Sequence, residues 1–287
     1  MVRAIHDVAA PAKLNLFLQV TGRRPDGYHL LQSVFTLIDW CDTLHFERRP
    51  DGALTREDLG VVLPPDDLIL RAARALQQAG GGHHGAHIGV TKRIPAQAGL
   101  GGGSSDAAST LLALNRLWGL GLSQAELARI GLALGADVPF FLCGNSHGWV
   151  EGIGEQVRAL ALPPERFVVL KPPQGLSTAA IFSAPDLQRN SKPATITGFA
   201  ADPYGFRRND LQPVAERLCP QVAQGIDLLA RIGLKGQMTG SGSAVFAQVP
   251  QAVAADAVRV QAPPDWQVRW CSSLDAHPLC GWAHGGV

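Results

Sequence analysis

The chain has 287 residues, 46% hydrophobic and 17% charged, enough to bury a large core, and the length suggests about two domains. Its 25 basic and 24 acidic residues leave a net charge of +1, which excludes bulk attraction to nucleic acid or an anionic membrane, so an anionic ligand has to be held by local geometry. Five scattered cysteines without a C-x-x-C spacing argue for reduced, buried thiols rather than a disulfide framework or a zinc knuckle; with no apolar run of about 18–20 residues and no apolar signal segment at the N-terminus, the cytoplasm is the expected location.

Residues 11–20 alternate, with Leu14, Leu16, Leu18 and Val20 on one face and Lys13, Asn15, Phe17 and Gln19 on the other. That period predicts a half-buried strand with Lys13 and Asn15 pointing the same way. Turn chemistry from Thr21 to Gly27 leads to Tyr28 and His29, then to predicted strands at 33–38 and 43–47. Asp66 or Asp67 caps a predicted helix through Leu76, on which Leu68, Ile69, Ala72, Ala73 and Leu76 recur at helical spacing, and Gly80 to Gly82 stop it. His83, His84 and His87 follow, but no Asp, Glu or Cys nearby completes a metal-ligand set, so no metal site is assigned to them.

A strand at 86–94 ends at Pro95, and the chain then reads PAQAGLGGGSSDA followed by an apolar run to Trp118. This is strand, glycine loop, helix. Ser123 and Glu126 form a capping box for a helix through Leu127, Ile130 and Leu134, stopped at Gly135, with Asp137 just beyond. Residues 138–143 and 147–151 read as short extended pieces. Gly152, Gly154 and the prolines at 163 and 164 place a domain border near residue 155, giving domains 1–155 and 156–287. The second half reads as mixed α+β, with a strand at 167–171, a loop into 178–182, a weakly patterned stretch to Asp202 and a helix from about Leu211. A second glycine turn, Thr239 to Ser243, then enters a strand at 244–247.

Gly99, Gly101, Gly102 and Gly103 permit left-handed backbone and close approach to a ligand, while Ser104, Ser105 and Asp106 stand where a helix begins with free N–H groups. Such a start favours a phosphate chain, and the two serine hydroxyls can add hydrogen bonds or meet Mg²⁺. The loop has no lysine for a Walker motif, and Ser104 stands where the dinucleotide fingerprint needs glycine.

The segment from Pro95 to Ala107 resembles the glycine loop with which GHMP kinases wrap the phosphates of ATP. Residues 11–18, PAKLNLFL, with 24–29, RPDGYH, resemble the first motif of the diphosphocytidyl-methylerythritol kinases of that superfamily. Residues 134–139, LGADVP, and 239–246, TGSGSAVF, match further motifs. The resemblance covers essentially the whole chain. It implies a two-domain α+β fold, ribosomal-protein-S5-like at the N-terminus and ferredoxin-like at the C-terminus, with the active site between the domains. It also implies ATP with Mg²⁺, phosphorylation of the 2-hydroxyl of a cytidine-diphosphate-linked methylerythritol in the non-mevalonate isoprenoid route, and a monomer or weak homodimer.

By the same resemblance Asp137 accepts the hydroxyl proton and Lys13 stabilises developing charge. Leu68, Lys92, Pro95, Gly99, Leu100, Gly101, Gly102, Gly103, Ser104 and Ser105 hold the nucleotide. Asn15 binds the acceptor alcohol, His29 reads the cytosine edge, and Tyr28 and Phe182 sandwich the ring. Thr178, Gly240 and Ser241 contact the rest of the substrate. No equivalent of the metal-binding glutamate of other GHMP members is found. Another GHMP kinase would need a different acceptor pocket, against the pairings Lys13 with Asn15 and Tyr28 with His29. A non-catalytic sensor on this fold would have lost Lys13 or Asp137.

Overall fold

The computed structural model describes residues 2–250 and 258–283. Strand β1 (Ala4–Arg23) turns at Gly27 and pairs antiparallel with β2 (His29–Arg49). The two strands expected at 33–38 and 43–47 are therefore one. β2 also pairs with β4 (Gly85–Thr91) and β5 (His147–Glu151), while β3 (Leu54–Asp58) and β6 (Gln156–Ala159) close the edges of a six-stranded sheet. Helices α1 (Leu68–Ala79) and α2 (Gly102–Trp118) cover it, and α3 (Gln124–Leu134) packs on those two helices. Both predicted caps form: Asp67 accepts from Leu70 N, and Ser123 and Glu126 make the reciprocal box.

Residues 138–142, expected extended, form the short helix α4 (Val138–Leu142). Five apolar residues carry too little periodicity to separate strand from helix, and Pro139 sits in the first turn, where a missing N–H breaks no helical bond.

The second half is built on an antiparallel sheet in the order β10-β7-β9-β8, from β7 (Arg166–Lys171), β8 (Gln237–Met238), β9 (Val245–Gln248) and β10 (Gln267–Ser272). The run expected from Leu211 is two helices, α7 (Gln212–Leu218) and α8 (Gln221–Arg231), broken around Cys219 and Pro220. Two short helices fall where only loop was read: α5 (Thr178–Ser183), capped by the Ser177 hydroxyl, and α6 (Ile196–Ala201), capped by Thr195. At six residues each, they lack the turns that reveal a helical period.

β1 joins the two halves. Val8 and Ala10 belong to the core under α1 and α2, Leu14 and Phe17 to a middle core with Trp149 and Phe246, and Leu18 and Val20 to the core of the second half. The half-buried strand expected at 11–20 is thus buried on both faces, with Lys13, Asn15 and Gln19 at most 4% exposed. A register shift between Asn15 and Phe17 also breaks the alternation, and Phe17 packs with Trp149, Phe199 and Phe206. No helix among the described residues is long and apolar enough to cross a membrane.

Past β10 the chain returns to the first half. Leu274 N donates to Leu37 O, and Leu279 enters the core beneath α2. His277 is buried there; its Nδ1 accepts from Leu279 N, its Nε2 has no partner among the described residues, and burial pushes the imidazole down to about 4. In the unfolded chain the same ring takes a proton near 6.5, so stability is lost as pH falls from about 6.5 towards 4. Acid melting curves of the wild type should show a loss on the order of 2–3 kcal/mol over that window, and His277→Gln should flatten it.

Candidate active site

A cleft of about 410 Å³ opens between the halves. Lys13 and Asn15, side by side on β1, form its floor. Lys13 Nζ donates to Asn15 Oδ1, lies 3.7 Å from Asp137 Oδ2 and sits 4.7 Å from the centroid of the Phe35 ring. Burial pulls the Lys13 ammonium below the ordinary lysine range, and the Asp137 carboxylate opposes that shift. Asp137 stands at the N-terminus of α4 with its side chain 34% exposed, so the carboxylate faces the open cleft while the lysine is sealed beneath it.

The two glycine turns meet over this pair. Lys13 N donates to Leu100 O and Asn15 N to Thr239 Oγ1, while Ser243 N and Ala244 N donate to Gln97 O and Ala98 O. Gly99 has φ +73°, and a Cβ there would stand 2.1 Å from Thr239 O. Gly99→Ala therefore combines left-handed strain with a backbone clash that no rotamer relieves. We expect it to lose about 2–4 kcal/mol of stability in urea melts and to weaken nucleotide binding in proportion to the separation of the turns.

α2 begins at Gly101 without a side-chain cap, which leaves its first amides facing the cleft. Leu68, Pro95, Leu100, Gly102, Gly103 and Ser104 line the same end. Ser105 does not: it is fully buried outside the lining, and its Oγ has no partner among the described residues. Lys92 is held by ion pairs to Asp42 and Asp106. Burial lifts the Asp106 carboxyl to about 7, with Lys92 opposing and Asp42 reinforcing the shift. Asp106 lines the cleft with its Oδ1 unpartnered among the described residues. One buried carboxylate oxygen without a partner among the described residues, beside a phosphate-binding helix start, fits Mg²⁺, which takes one or two carboxylates and completes its shell with water and phosphate. No group of three or more acidic, His or Cys side chains gathers there or elsewhere among the described residues.

At the opposite end Thr178 and Ser241 share a hydroxyl hydrogen bond of 2.7 Å, and Gly240 and Phe182 complete the wall. Tyr28, on the turn before β2, is 61% exposed. The ring stacked on Phe182 is His29, at 5.0 Å and 29°. Arg189 Nε donates to His29 Nε2, which makes that nitrogen an acceptor and leaves the proton on Nδ1. Burial and then Arg189 and Arg23 lower the His29 pKa, so the ring is held neutral. Arg189 also donates to Phe182 O and Ala184 O, fixing the end of α5. Arg189, Asp42, Asp106 and Thr239 were missed in the sequence. Asp106 adjoins the motif and was readable as part of it, whereas Asp42 and Arg189 join the site only through long-range contacts.

Residues 67–145 match the GHMP kinases N terminal domain and residues 195–264 the GHMP kinases C terminal domain. Proteins named 4-diphosphocytidyl-2-C-methyl-D-erythritol kinase from Variovorax paradoxus (strain S110) and Delftia acidovorans (strain DSM 14801 / SPH-1) are 62% and 64% identical. Their alignments cover 98% of this chain and, respectively, 100% and 98% of the relative. The chain belongs to the GHMP kinase family. A crystal structure of 4-(cytidine 5'-diphospho)-2C-methyl-D-erythritol kinase superposes on this GHMP kinase with TM-score 0.77 and 34% identity, over 92% of this chain and 98% of that one. Homoserine kinase from Cytophaga hutchinsonii, at TM-score 0.71 and 16% identity over 96% of each chain, shares the fold. The two-domain α+β architecture implied by the motifs is the one observed.

Proposed function

We propose that this GHMP kinase transfers the terminal phosphoryl group of ATP to the 2-hydroxyl of 4-diphosphocytidyl-2-C-methyl-D-erythritol, a step of the non-mevalonate isoprenoid route. The observation that carries the reading is the Lys13 and Asp137 pair, set between a phosphate-binding glycine loop and an aromatic wall at Phe182, on which His29 stacks. The relatives named for that substrate supply the acceptor's identity. Residues 1–155 bind the nucleotide and carry the base, and residues 156–287 complete the substrate side.

The acceptor hydroxyl lies against Asn15 and gives its proton to Asp137 as its oxygen bonds to the terminal phosphorus and the bond to the ADP oxygen breaks. Lys13 stabilises charge on the transferring group. The uncapped amides of α2 hold the phosphates, and Leu68 and Pro95 border the base. Asp106 and Ser104 would hold a Mg²⁺ that arrives with the nucleotide, and the ion would neutralise phosphate charge there. Neutral His29, with Nδ1 as donor, reads the cytosine edge, and the ring stacks on Phe182.

A coupled ADP-release assay with this substrate beside mevalonate and homoserine tests the reading. Turnover confined to the cytidylyl substrate supports it; turnover with none of the three, despite ATP binding, overturns it. Phe182→Ala should raise KM for the cytidylyl substrate about 10- to 100-fold, from about 1–3 kcal/mol of stacking, while KM for ATP stays near wild type.

A further inference from the structure

A second cleft, of about 640 Å³, lies between β2 and the edge strand β10. Three arginines line it: Arg93 from the segment after β4, Arg259, and Arg269 from β10. Among the described residues no carboxylate lines the cleft, and none of the three guanidinium groups forms an ion pair. Its floor is apolar, with Trp40 at 5% and Trp266 at 8% exposure, flanked by Val268.

The Arg93 side chain is placed rather than left trailing. Its backbone N donates to Asp42 Oδ1, its carbonyl accepts from Trp40 Nε1 at 3.0 Å, and its Nη1 donates to Thr43 Oγ1 at 2.7 Å. Arg269 is fixed by the register of β10 against Val169. Asp39 accepts from Ser272 N, and Asp265 lines the adjoining depression. Neither enters the cleft wall.

Three guanidinium groups without an ion-pair partner among the described residues, set over an indole floor, suit an anion that is planar or apolar on one side. Arginine forks match phosphate oxygens, and the volume fits a small molecule rather than a polymer. A net charge of only +1 also argues against a nucleic-acid surface. We propose that this cleft is a second ligand site, separate from the active site, which binds an organic phosphate through Arg93, Arg259 and Arg269 and seats its apolar body on Trp40 and Trp266.

The test is calorimetric titration of the full chain with 1-naphthyl phosphate, repeated in Phe182→Ala, which removes the aromatic wall of the active-site cleft. Saturable binding should persist, and Arg93→Gln and Arg269→Gln should each raise Kd about tenfold through loss of a charge-assisted bond. Both residues are exposed, so the variants should melt with the wild type and keep its kcat. Inorganic phosphate should bind at least tenfold more weakly than the naphthyl ester. Absence of saturable binding, an unchanged Kd in either variant, or equal affinity for inorganic phosphate would each overturn the assignment.

Discussion

Asp137→Ala should lower kcat by about 10²- to 10⁴-fold, the range spanned by a positioned general base, with KM for ATP close to wild type. The carboxylate faces the cleft and contacts no backbone amide as a helix cap, so its removal leaves α4 without a lost bond. Pre-steady-state quench measurements separate the chemical step from product release and give the cleanest readout. Asp137→Asn sharpens the test, since it keeps the shape and removes the proton acceptor. An asparagine variant with wild-type kcat would mean that the acceptor alcohol loses its proton elsewhere.

Lys13→Met should abolish most turnover, by 10²-fold or more, yet melt no lower than the wild type. The ammonium is 3% exposed, and its partners are the Asn15 amide oxygen and a carboxylate 3.7 Å away. Replacing a whole buried ion pair by apolar groups is commonly neutral or stabilising by about 1–4 kcal/mol, and removing one partner is costly only where the other charge stays buried; here Asp137 keeps solvent on its open side. The sign with pH follows. Folding lowers the Lys13 pKa, mainly by burial, so the folded state binds this proton less well than the unfolded chain does. The penalty is complete below the folded pKa and disappears as pH rises through that value towards 10.5. The stability advantage of Lys13→Met should accordingly be largest near neutrality and shrink in alkali, which paired urea melts at pH 7 and pH 10 resolve.

Local signals told most where chemistry and backbone demands coincide in a few consecutive residues. The caps at Asp67 and Ser123 and the glycine loop into α2 were readable because each places its partners within one turn. Lys13 and Asn15 were correctly placed together, but their complete burial was not readable, since the covering atoms come from Thr239 and Ser33 far along the chain. α5 and α6 escaped because six residues hold too little period. β10 escaped because Gln267 to Ser272 carries only modest apolar alternation. The stacking of His29 on Phe182 was not readable either, because the ring is held by Arg189, 160 residues away.

The passage of β1 through all three cores bears on how the enzyme moves. A cleft between two lobes is often narrowed by a hinge, but here the segment that crosses between them is a paired strand, bonded at Leu18 and Val20 to Arg208 and Asp210 of the second half and packed along its length. Swinging one lobe would drag that strand through close-packed side chains, which shift between discrete arrangements rather than bend. Adjustment around a bound substrate therefore falls to the rim: the loop ahead of α1, where Val61 and Val62 lie 63% and 83% exposed, and the turn bearing Tyr28.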